Sequence, residues 1–260
     1  NTPMDGERKA SAHDIVFQAR AGSPELNCCS VNAPRGIGMI TEWAVMSAKD
    51  GVVLNYYSPC SMSVQSPSGK KFAIIQETDY PKNGCIKIML DMDSPERFTL
   101  HLRIPAWSKE NSLNMNGESI NNIKPGTYMS LSREWKKGDK ITLQLDMSPH
   151  FWVGERELEG KTSIYQGPIV LTYDRYYNMM DPDEIPVLDA KNISIEPVSH
   201  SGWIQPFMLF KTQAKDGRDI FLCDYASAGV SGTPYRSWLR VDGLSPVEFS
   251  KQNPKRISNY

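Results

Sequence analysis

Apolar and polar residues alternate with a period of two along most of the chain after residue 52, and this alternation restricts the folds open to it. The clearest stretch is residues 98–104, where Thr99, His101 and Arg103 separate apolar neighbours. Successive side chains of a strand point to opposite faces, so the pattern predicts strands buried on one face. Turn signals such as Asn116-Gly117 divide the chain into short segments, which is typical of antiparallel β-sandwiches.

The alternation breaks around residues 149–160 and resumes in apolar runs further along the 260-residue chain. A chain of this length accommodates one large domain or two ordinary ones. We therefore predict a mainly β fold with two antiparallel β-sandwich domains, residues 49–151 and 152–260. Residues 1–48 are expected to form an irregular arm and then a helix near residues 34–47, with Asn32 as its cap and Pro34 in its first turn.

The charge balance and hydropathy exclude several classes of partner. The chain has 29 basic and 30 acidic residues, which favours a neutral or weakly charged substrate and predicts no nucleic-acid partner. No apolar run approaches the roughly 20 residues of a membrane helix. The chain starts at Asn1 without a signal-like segment, and we interpret it as a piece of something longer. A periplasmic or secreted location is favoured over a cytoplasmic one.

Two adjacent cysteines, Cys28 and Cys29, are the strongest candidates for chemistry. One peptide unit holds their Cα atoms about 3.8 Å apart, whereas disulfides need roughly 4.4–6.8 Å, so the two residues do not readily bond to each other. Two such thiols can hold a soft metal ion, or one can act as a nucleophile that the other tunes. They can equally be small buried residues at a helix entrance, or a redox-responsive pair.

Other residues offer weaker signals. His13, Glu25 and Glu42 lie close enough in sequence to the cysteines to be candidates for lining a site or for acid/base catalysis. The six tryptophans suit packing better than sugar stacking. Since Cys60, Cys85 and Cys223 stand in strand-like surroundings, the residues alone complete no four-ligand zinc site.

Several motifs together resemble glycoside hydrolase family 127, the β-L-arabinofuranosidase group. They stand in the family's order from about residue 23 onward: Asn27-Cys28-Cys29 with Asn32 and Arg35-Gly36, Gln76-Glu77-Thr78-Asp79-Tyr80-Pro81, Leu100-His101-Leu102-Arg103-Ile104-Pro105-Ala106-Trp107, Met115-Asn116-Gly117, Trp135-Lys136-Lys137-Gly138-Asp139, Tyr165-Gln166-Gly167-Pro168 and Tyr235-Arg236-Ser237-Trp238. The chain reads Cys-Cys-Ser-Val-Asn where many members read Cys-Cys-Pro-Pro-Asn.

The resemblance implies an (α/α)-barrel catalytic domain followed by two β-sandwiches, of which this chain holds the end of the barrel and both sandwiches. It implies that Cys28 is the catalytic nucleophile and that a zinc ion is held at the pair, with Cys28 and Cys29 as two of its ligands. The family's remaining zinc ligands, a glutamate and a cysteine, and its general acid/base glutamate have no match here.

From these observations we expect part of a retaining, cysteine-nucleophile glycosidase that is inactive by itself. Its substrate in the complete protein would be an arabinose-containing or related oligosaccharide. The alternative is a non-catalytic β-sandwich module that binds carbohydrate or packs against another domain. With no barrel to cover its apolar face, the helix near residues 34–47 is expected to dock on a sandwich, to be partly disordered, or to form a dimer contact.

Overall fold

The computed structural model describes residues 28–244, and these fold mainly into β-strands, which confirms the predicted fold class. Two α-helices are present in this part of the chain, α1 at Cys28–Ala44 and the short α2 at Arg175–Asn178. The described residues divide into two units between Met147 and Ser148. Strand Pro149–Val153 pairs within the second unit, across the boundary expected near residue 152.

The first unit, residues 28–147, contains two sheets. The four-stranded sheet has the order β1-β2-β6-β9 and the six-stranded sheet the order β3-β4-β5-β10-β7-β8. The strands are β1 Val45–Ala48, β2 Gly51–Leu54, β3 Cys60–Gln65, β4 Lys71–Thr78, β5 Cys85–Met92, β6 Glu96–Arg103, β7 Ser112–Met115, β8 Glu118–Ile120, β9 Tyr128–Trp135 and β10 Lys140–Gln144.

Both sheets of the first unit contribute to a single apolar core. The four-stranded sheet supplies Leu54, Leu100 and Trp135, and the six-stranded sheet supplies residues such as Ile74 and Ile88. All five side chains are almost fully buried. The alternation seen in the sequence places these residues on the inner face of each sheet, and the two faces pack as a β-sandwich.

One pairing in this unit departs from the antiparallel expectation. Strand β2 pairs parallel with β6, from Gly51 opposite Thr99 to Leu54 opposite Leu102. A Cβ at Gly51 would lie 1.7 Å from the Thr99 carbonyl oxygen, so this close approach requires glycine. Because parallel neighbours cannot be joined by a tight turn, the chain forms β3, β4 and β5 of the other sheet before it returns as β6.

Hydrogen bonds join the turn at Asn116-Gly117 to the turn at residues 136–139. The Asn116-Gly117 turn has positive φ at both residues, as a tight hairpin of this type needs. Asn116 Nδ2 donates to the buried carboxylate of Asp139 at 2.8 Å, and the Lys136 amide donates to the same carboxylate at 3.0 Å. Asn116 Oδ1 accepts from the Lys140 amide at 2.8 Å. These motifs therefore hold hairpins in register.

The second unit, residues 148–244, is built on a seven-stranded antiparallel sheet with the order β11-β12-β13-β17-β16-β15, in which β18 also pairs with β13. A two-stranded parallel sheet, β14 with β19, accompanies it. The strands are β11 Pro149–Val153, β12 Thr162–Gln166, β13 Ile169–Asp174, β14 Leu188–Asp189, β15 Glu196–Pro197, β16 Leu209–Gln213, β17 Asp219–Asp224, β18 Tyr235–Arg236 and β19 Val241–Asp242.

The core of the second unit consists of a different set of residues from the core of the first. Ile164, Leu171, Tyr173 and Leu222 of the large sheet pack with Leu188 of the small one. The large sheet and the small parallel pair thus share one hydrophobic cluster. The two layers differ in size, with seven strands in one and two in the other, which the sequence did not indicate.

Two buried carboxylates fasten the surface loop that follows β17. Asp224 accepts from the Met208 amide at 2.9 Å and from the Ser227 amide at 3.0 Å. Asp174 accepts from the Gly229 amide at 2.7 Å and from the Thr233 hydroxyl. A buried carboxylate is costly to desolvate unless such bonds satisfy it, so these contacts fix the loop.

The helix differs from its expected position. Helix α1 begins at Cys28 and has Pro34 inside it, so Asn32 lies within the helix and is not its cap. It ends at Ala44, and residues 45–47, expected as helix, belong to strand β1 at Val45–Ala48 instead. No helix among residues 28–244 is long and apolar enough to cross a membrane.

Candidate active site

The cysteine pair occupies the first turn of α1. Cys28 and Cys29 are the first two residues of this 17-residue helix, and the structure describes their backbone but not their side chains. The free amides of a first turn carry partial positive charge, which favours a thiolate over a thiol. No acidic side chain in this turn opposes the effect.

Helical spacing places the family-like residues on common faces. Cys28, Asn32 and Arg35 are separated by four and three residues and therefore share one face of α1. Asn32 and Arg35 are exposed. A polar amide and a cation are thus available on the face of the helix that bears Cys28, where they suit binding of a hydroxyl-rich ligand or a carboxylate.

An apolar stripe continues along the helix from the second cysteine. Positions 29, 33, 36, 40 and 43 follow the four-and-three spacing of one helix face. Ile40 and Trp43 on this stripe are 50% and 42% exposed, and neighbouring Ile37 is 69% exposed. Such large apolar side chains in a row are typical of a surface that another domain or chain covers.

The first sandwich holds the far end of the helix. Asn55, just after β2, donates from its amide nitrogen to the Ala44 carbonyl at 2.9 Å and from Nδ2 to the Trp43 carbonyl at 2.8 Å. The Tyr128 hydroxyl donates to Asn55 Oδ1 at 2.6 Å. Asn55 therefore caps the helix C-terminus and links α1 to two strands. No spacing pattern in the sequence marks Asn55 for this role.

The other sequence candidates lie apart from the pair or outside the described residues. Glu42 is exposed on α1, but fourteen residues at 1.5 Å each separate it from Cys28 by about 21 Å along the axis, too far for acid/base catalysis there. His13 and Glu25 lie outside the described residues. Trp135 is fully buried and donates from Nε1 to the Phe98 carbonyl, so its role is packing.

Cys223, Cys60 and His101 have local partners. Cys223 is buried, burial raises the pKa of its thiol, and it donates to the Thr172 carbonyl. Cys60 accepts from Gln76 Nε2 at 3.5 Å. His101 lies between Ser130 Oγ at 2.9 Å and Asp50 Oδ1 at 3.2 Å on the outer face of the four-stranded sheet, and this contact lowers the pKa of Asp50.

A metal site is not assembled within the part of the chain that the structure describes. No group of three or more His, Cys, Asp or Glu residues is positioned there to hold an ion. In kind, the thiolates of Cys28 and Cys29 are ligands that zinc prefers, and in number they are two of the four that a closed site needs. The zinc site at this pair stays a prediction.

A model of a known protein family matches most of the first unit. Residues 51–147 match the family model of the β-L-arabinofuranosidase, GH127 middle domain. Among curated protein sequences no match is found.

Solved structures of glycoside hydrolases share the fold of most of the chain. A glycoside hydrolase matches with a TM-score of 0.73 and 23% identity over 88% of this chain and 43% of its own. A GH127 β-arabinofuranosidase gives 0.70 and 22% over 84% and 39%. A GH127 β-L-arabinofuranosidase from Geobacillus stearothermophilus T6 gives 0.72 and 22% over 93% and 41%.

The chain therefore spans about two fifths of the length of these relatives. The resemblance seen in its motifs is confirmed by the family model and by the fold: residues 51–147 are similar to the middle domain of glycoside hydrolase family 127, and most of the chain shares the fold of solved glycoside hydrolases.

Proposed function

We propose that this chain is part of a retaining glycoside hydrolase in which Cys28 is the nucleophile. One observation carries the proposal: the cysteine pair opens a helix that leads directly into a GH127 middle domain. Two of the relatives are described as arabinofuranosidases, and an arabinose-containing oligosaccharide is the proposed substrate of the complete protein.

In the proposed reaction, the Cys28 thiolate attacks the anomeric carbon as the bond to the leaving oxygen breaks. A carboxylic acid outside the described residues donates a proton to that oxygen. Water then attacks the anomeric carbon, gives a proton to the resulting carboxylate and displaces the sulfur, which regenerates the thiolate and the acid. The first-turn amides of α1 favour the thiolate before attack and again as the leaving group during hydrolysis. A zinc ion at Cys28 and Cys29 would keep the sulfur deprotonated near neutral pH.

The exposed apolar stripe of α1 supports the proposal that the active site is incomplete in this chain. Cys29 lies in line with Ile40 and Trp43, so a domain that covers those side chains would also reach the cysteine pair. General acid catalysis contributes typically 10²–10⁴-fold, and its absence leaves a poor alkoxide leaving group. We therefore expect no measurable hydrolysis of an aryl arabinofuranoside by the chain alone.

The reactivity of the pair can be measured on the chain as it exists. We expect iodoacetamide to alkylate Cys28 about tenfold faster at pH 7 than it alkylates Cys60, because a first-turn thiol has the higher thiolate fraction. Cys60 is the matched control, since it is partly exposed on a strand. Quenched time points analysed by peptide mass spectrometry give both rates. Equal rates would contradict the proposed nucleophile.

Metal content and turnover test the remaining steps. In a longer protein that includes this chain and the remaining ligands, zinc retained after gel filtration should fall with Cys29→Ser and not with Cys60→Ser. In a longer protein that includes this chain, Cys28→Ser should abolish turnover and Cys60→Ser should leave it unchanged. Turnover by the isolated chain that Cys28→Ser abolishes would refute the inactivity of this portion.

A second candidate function, a carbohydrate-binding module, is favoured by the second unit. Trp203 is fully exposed, and Tyr225 and Phe207 are about half exposed. Exposed aromatic faces stack on sugar rings, so this function is distinct from catalysis at the cysteines. Glycan-array binding by the Cys28→Ser/Cys29→Ser double variant, lost on Trp203→Ala, would support it. Failure of the cysteine double variant to bind any glycan would contradict this function.

A further inference from the structure

The chain contains two Asn-Gly dipeptides, Asn83-Gly84 and Asn116-Gly117. Asparagine before glycine is open to attack by the next backbone nitrogen on its side-chain amide, because glycine has no Cβ to hinder the approach. Asn83 lies in the turn between β4 and β5, and Asn116 lies in the turn between β7 and β8. Both asparagines are exposed. The two sites therefore share a sequence and an exposure class, and they differ in the hydrogen bonds around the reacting atoms.

Hydrogen bonds occupy every reacting group at Asn116. The Gly117 amide, which would be the nucleophile, donates to Asn114 Oδ1 at 2.8 Å. Asn116 Oδ1 accepts from the Lys140 amide, and Nδ2 donates to the buried carboxylate of Asp139. The side-chain amide is thus held toward the start of β10. Reaction at Asn116 requires the loss of these three hydrogen bonds.

Asn83 makes a single hydrogen bond, and this bond favours reaction. Its Oδ1 accepts from the Cys85 amide at 3.0 Å, which closes a ring that includes the Gly84 nitrogen. The side-chain carbonyl is therefore turned back along the chain, and the Cys85 amide stabilises the negative charge that develops on Oδ1 during attack. Within residues 28–244, neither the Gly84 N–H nor Asn83 Nδ2 has a hydrogen-bond partner. The nucleophile and the leaving group are thus free to react.

We propose that Asn83 is a site of spontaneous deamidation in the folded protein, whereas Asn116 is preserved. The Gly84 nitrogen gives its proton to solvent and attacks Asn83 Cγ, which forms a cyclic succinimide. The bond from Cγ to Nδ2 breaks, and ammonia leaves with a proton taken from solvent. Water then opens the ring at either carbonyl and gives aspartate or isoaspartate. The net change is hydrolysis of the side-chain amide, and it does not depend on the cysteine chemistry proposed above.

The modification changes the charge and the backbone of the β4–β5 turn. Each event replaces a neutral amide by a carboxylate, in a chain whose formal net charge is −1. Aspartate in place of Asn83 keeps an acceptor for the Cys85 amide, whereas isoaspartate lengthens the backbone and shortens the side chain that makes this bond. The Gly84 carbonyl accepts from the Leu145 amide at 2.9 Å, so a longer backbone disturbs the contact of this turn with the end of β10. Isoaspartate is therefore the product expected to loosen the hairpin.

Incubation of the full chain at mildly alkaline pH, followed by peptide mass spectrometry, measures both sites in one sample. We expect Asn83 to convert at least about tenfold faster than Asn116, because Asn116 must first lose several hydrogen bonds. In urea the two rates should become similar, since both sites are then unfolded Asn-Gly dipeptides. Gly84 is buried and Gly117 is exposed, so exposure of the glycine alone would give the opposite order. Similar rates in the folded chain, a faster Asn116, or no conversion of folded Asn83 while the unfolded chain reacts would overturn the proposal.

Variants at each site test the cause of the contrast. Asn114→Ala removes the acceptor of the Gly117 amide and should speed conversion of Asn116 about threefold or more, with the Asn83 rate unchanged. An unchanged Asn116 rate would contradict protection by this hydrogen bond. Asn83→Gln should prevent the acidic species that ion exchange resolves from the aged chain, because a longer side chain cyclises far more slowly, and Asn83→Asp marks where the aspartate product elutes. Persistence of that species in Asn83→Gln would place the modification elsewhere and overturn the proposal.

Discussion

Asp139 shows how a single buried carboxylate fixes the ends of three strands. It accepts from the Asn116 side chain and from the Lys136 amide, while Asn116 itself accepts from the Lys140 amide. These bonds join the β7–β8 turn to the β9–β10 turn. The residues belong to motifs that resemble the family, and their role in this structure is to hold the fold.

We expect Asp139→Ala to lower the free energy of unfolding of the first unit by about 2–3 kcal/mol, because it leaves buried donors without an acceptor. Urea denaturation measures the change. Asp91→Ala is the control, since Asp91 forms an exposed ion pair with Lys137 and should change stability by less than about 0.5 kcal/mol. Equal effects of the two substitutions on the free energy of unfolding would contradict a stabilising role for the Asp139 hydrogen bonds.

Tyr173 links stability to alkaline pH. Burial raises the pKa of its phenol from 10.0 to about 12, and its hydroxyl donates to the Met180 carbonyl at 2.9 Å. The folded state therefore keeps its proton where the unfolded state has lost it. The stabilisation is complete below pH 10 and is lost as the pH rises from 10 to 12.

In this window, urea midpoints of the second unit should fall with rising pH. Tyr173→Phe should be less stable at pH 7 by about 1 kcal/mol, through loss of the hydrogen bond, and should show a shallower alkaline decline. Parallel pH profiles for the two proteins would refute this role. Tyr165→Phe is a suitable comparison, because Tyr165 is only partly buried.

At the scale of elements, the pairing of β2 with β6 depends on a glycine. A Cβ at Gly51 would meet the Thr99 carbonyl at 1.7 Å, so Gly51→Ala should break the β2–β6 pairing and destabilise the first unit by more than about 3 kcal/mol. Gly38→Ala on exposed α1 has free space around the new methyl group and should favour the helix by up to about 1 kcal/mol. Thermal unfolding compares the two, and a tolerated Gly51→Ala would contradict the close approach.

The elements differ in how well the sequence predicted them. Strand β5 alternates strictly because one of its faces is buried. Strand β6 alternates in sequence, although Thr99 on its other face is also buried, and in both strands the alternation of residue types was sufficient to find them. The start of α1 was missed because Asn32 and Pro34 are the residues expected at a helix entrance, yet here the helix already includes them. The parallel β2–β6 pairing joins segments far apart in sequence, and local turn signals carry no information about it.

The candidate site was predicted only in part, for a related reason. The cysteine pair could be singled out from its residue types, but the sequence placed it ahead of a helix rather than in the first turn of α1. The cap that Asn55 provides depends on the tertiary fold. Further zinc ligands and an acid/base have no counterpart in the motifs of this chain, and its relatives are more than twice as long.

At the scale of the whole molecule, each of the two units has its own core. Leu100 is fully buried in the first, and Leu222 is fully buried in the second. We expect Leu100→Ala to lower the unfolding midpoint of the first unit and Leu222→Ala that of the second, each by about 2–5 kcal/mol in free energy. Calorimetry resolves the two transitions. A uniform shift of both transitions by either variant would contradict separate cores.

The crossover that separates β2 from β6 has a consequence for synthesis on the ribosome. When the hairpin of β1 and β2 leaves the exit tunnel, the strand that must lie beside it has yet to emerge, because it follows more than forty residues later in the chain. During that interval the apolar side chains of Val52 and Leu54 are not yet buried beside β6. A chaperone or the growing neighbouring sheet must protect them from aggregation. Slowing translation between residues 55 and 95 should therefore increase aggregation of the nascent protein, whereas a pause after residue 135 should be harmless.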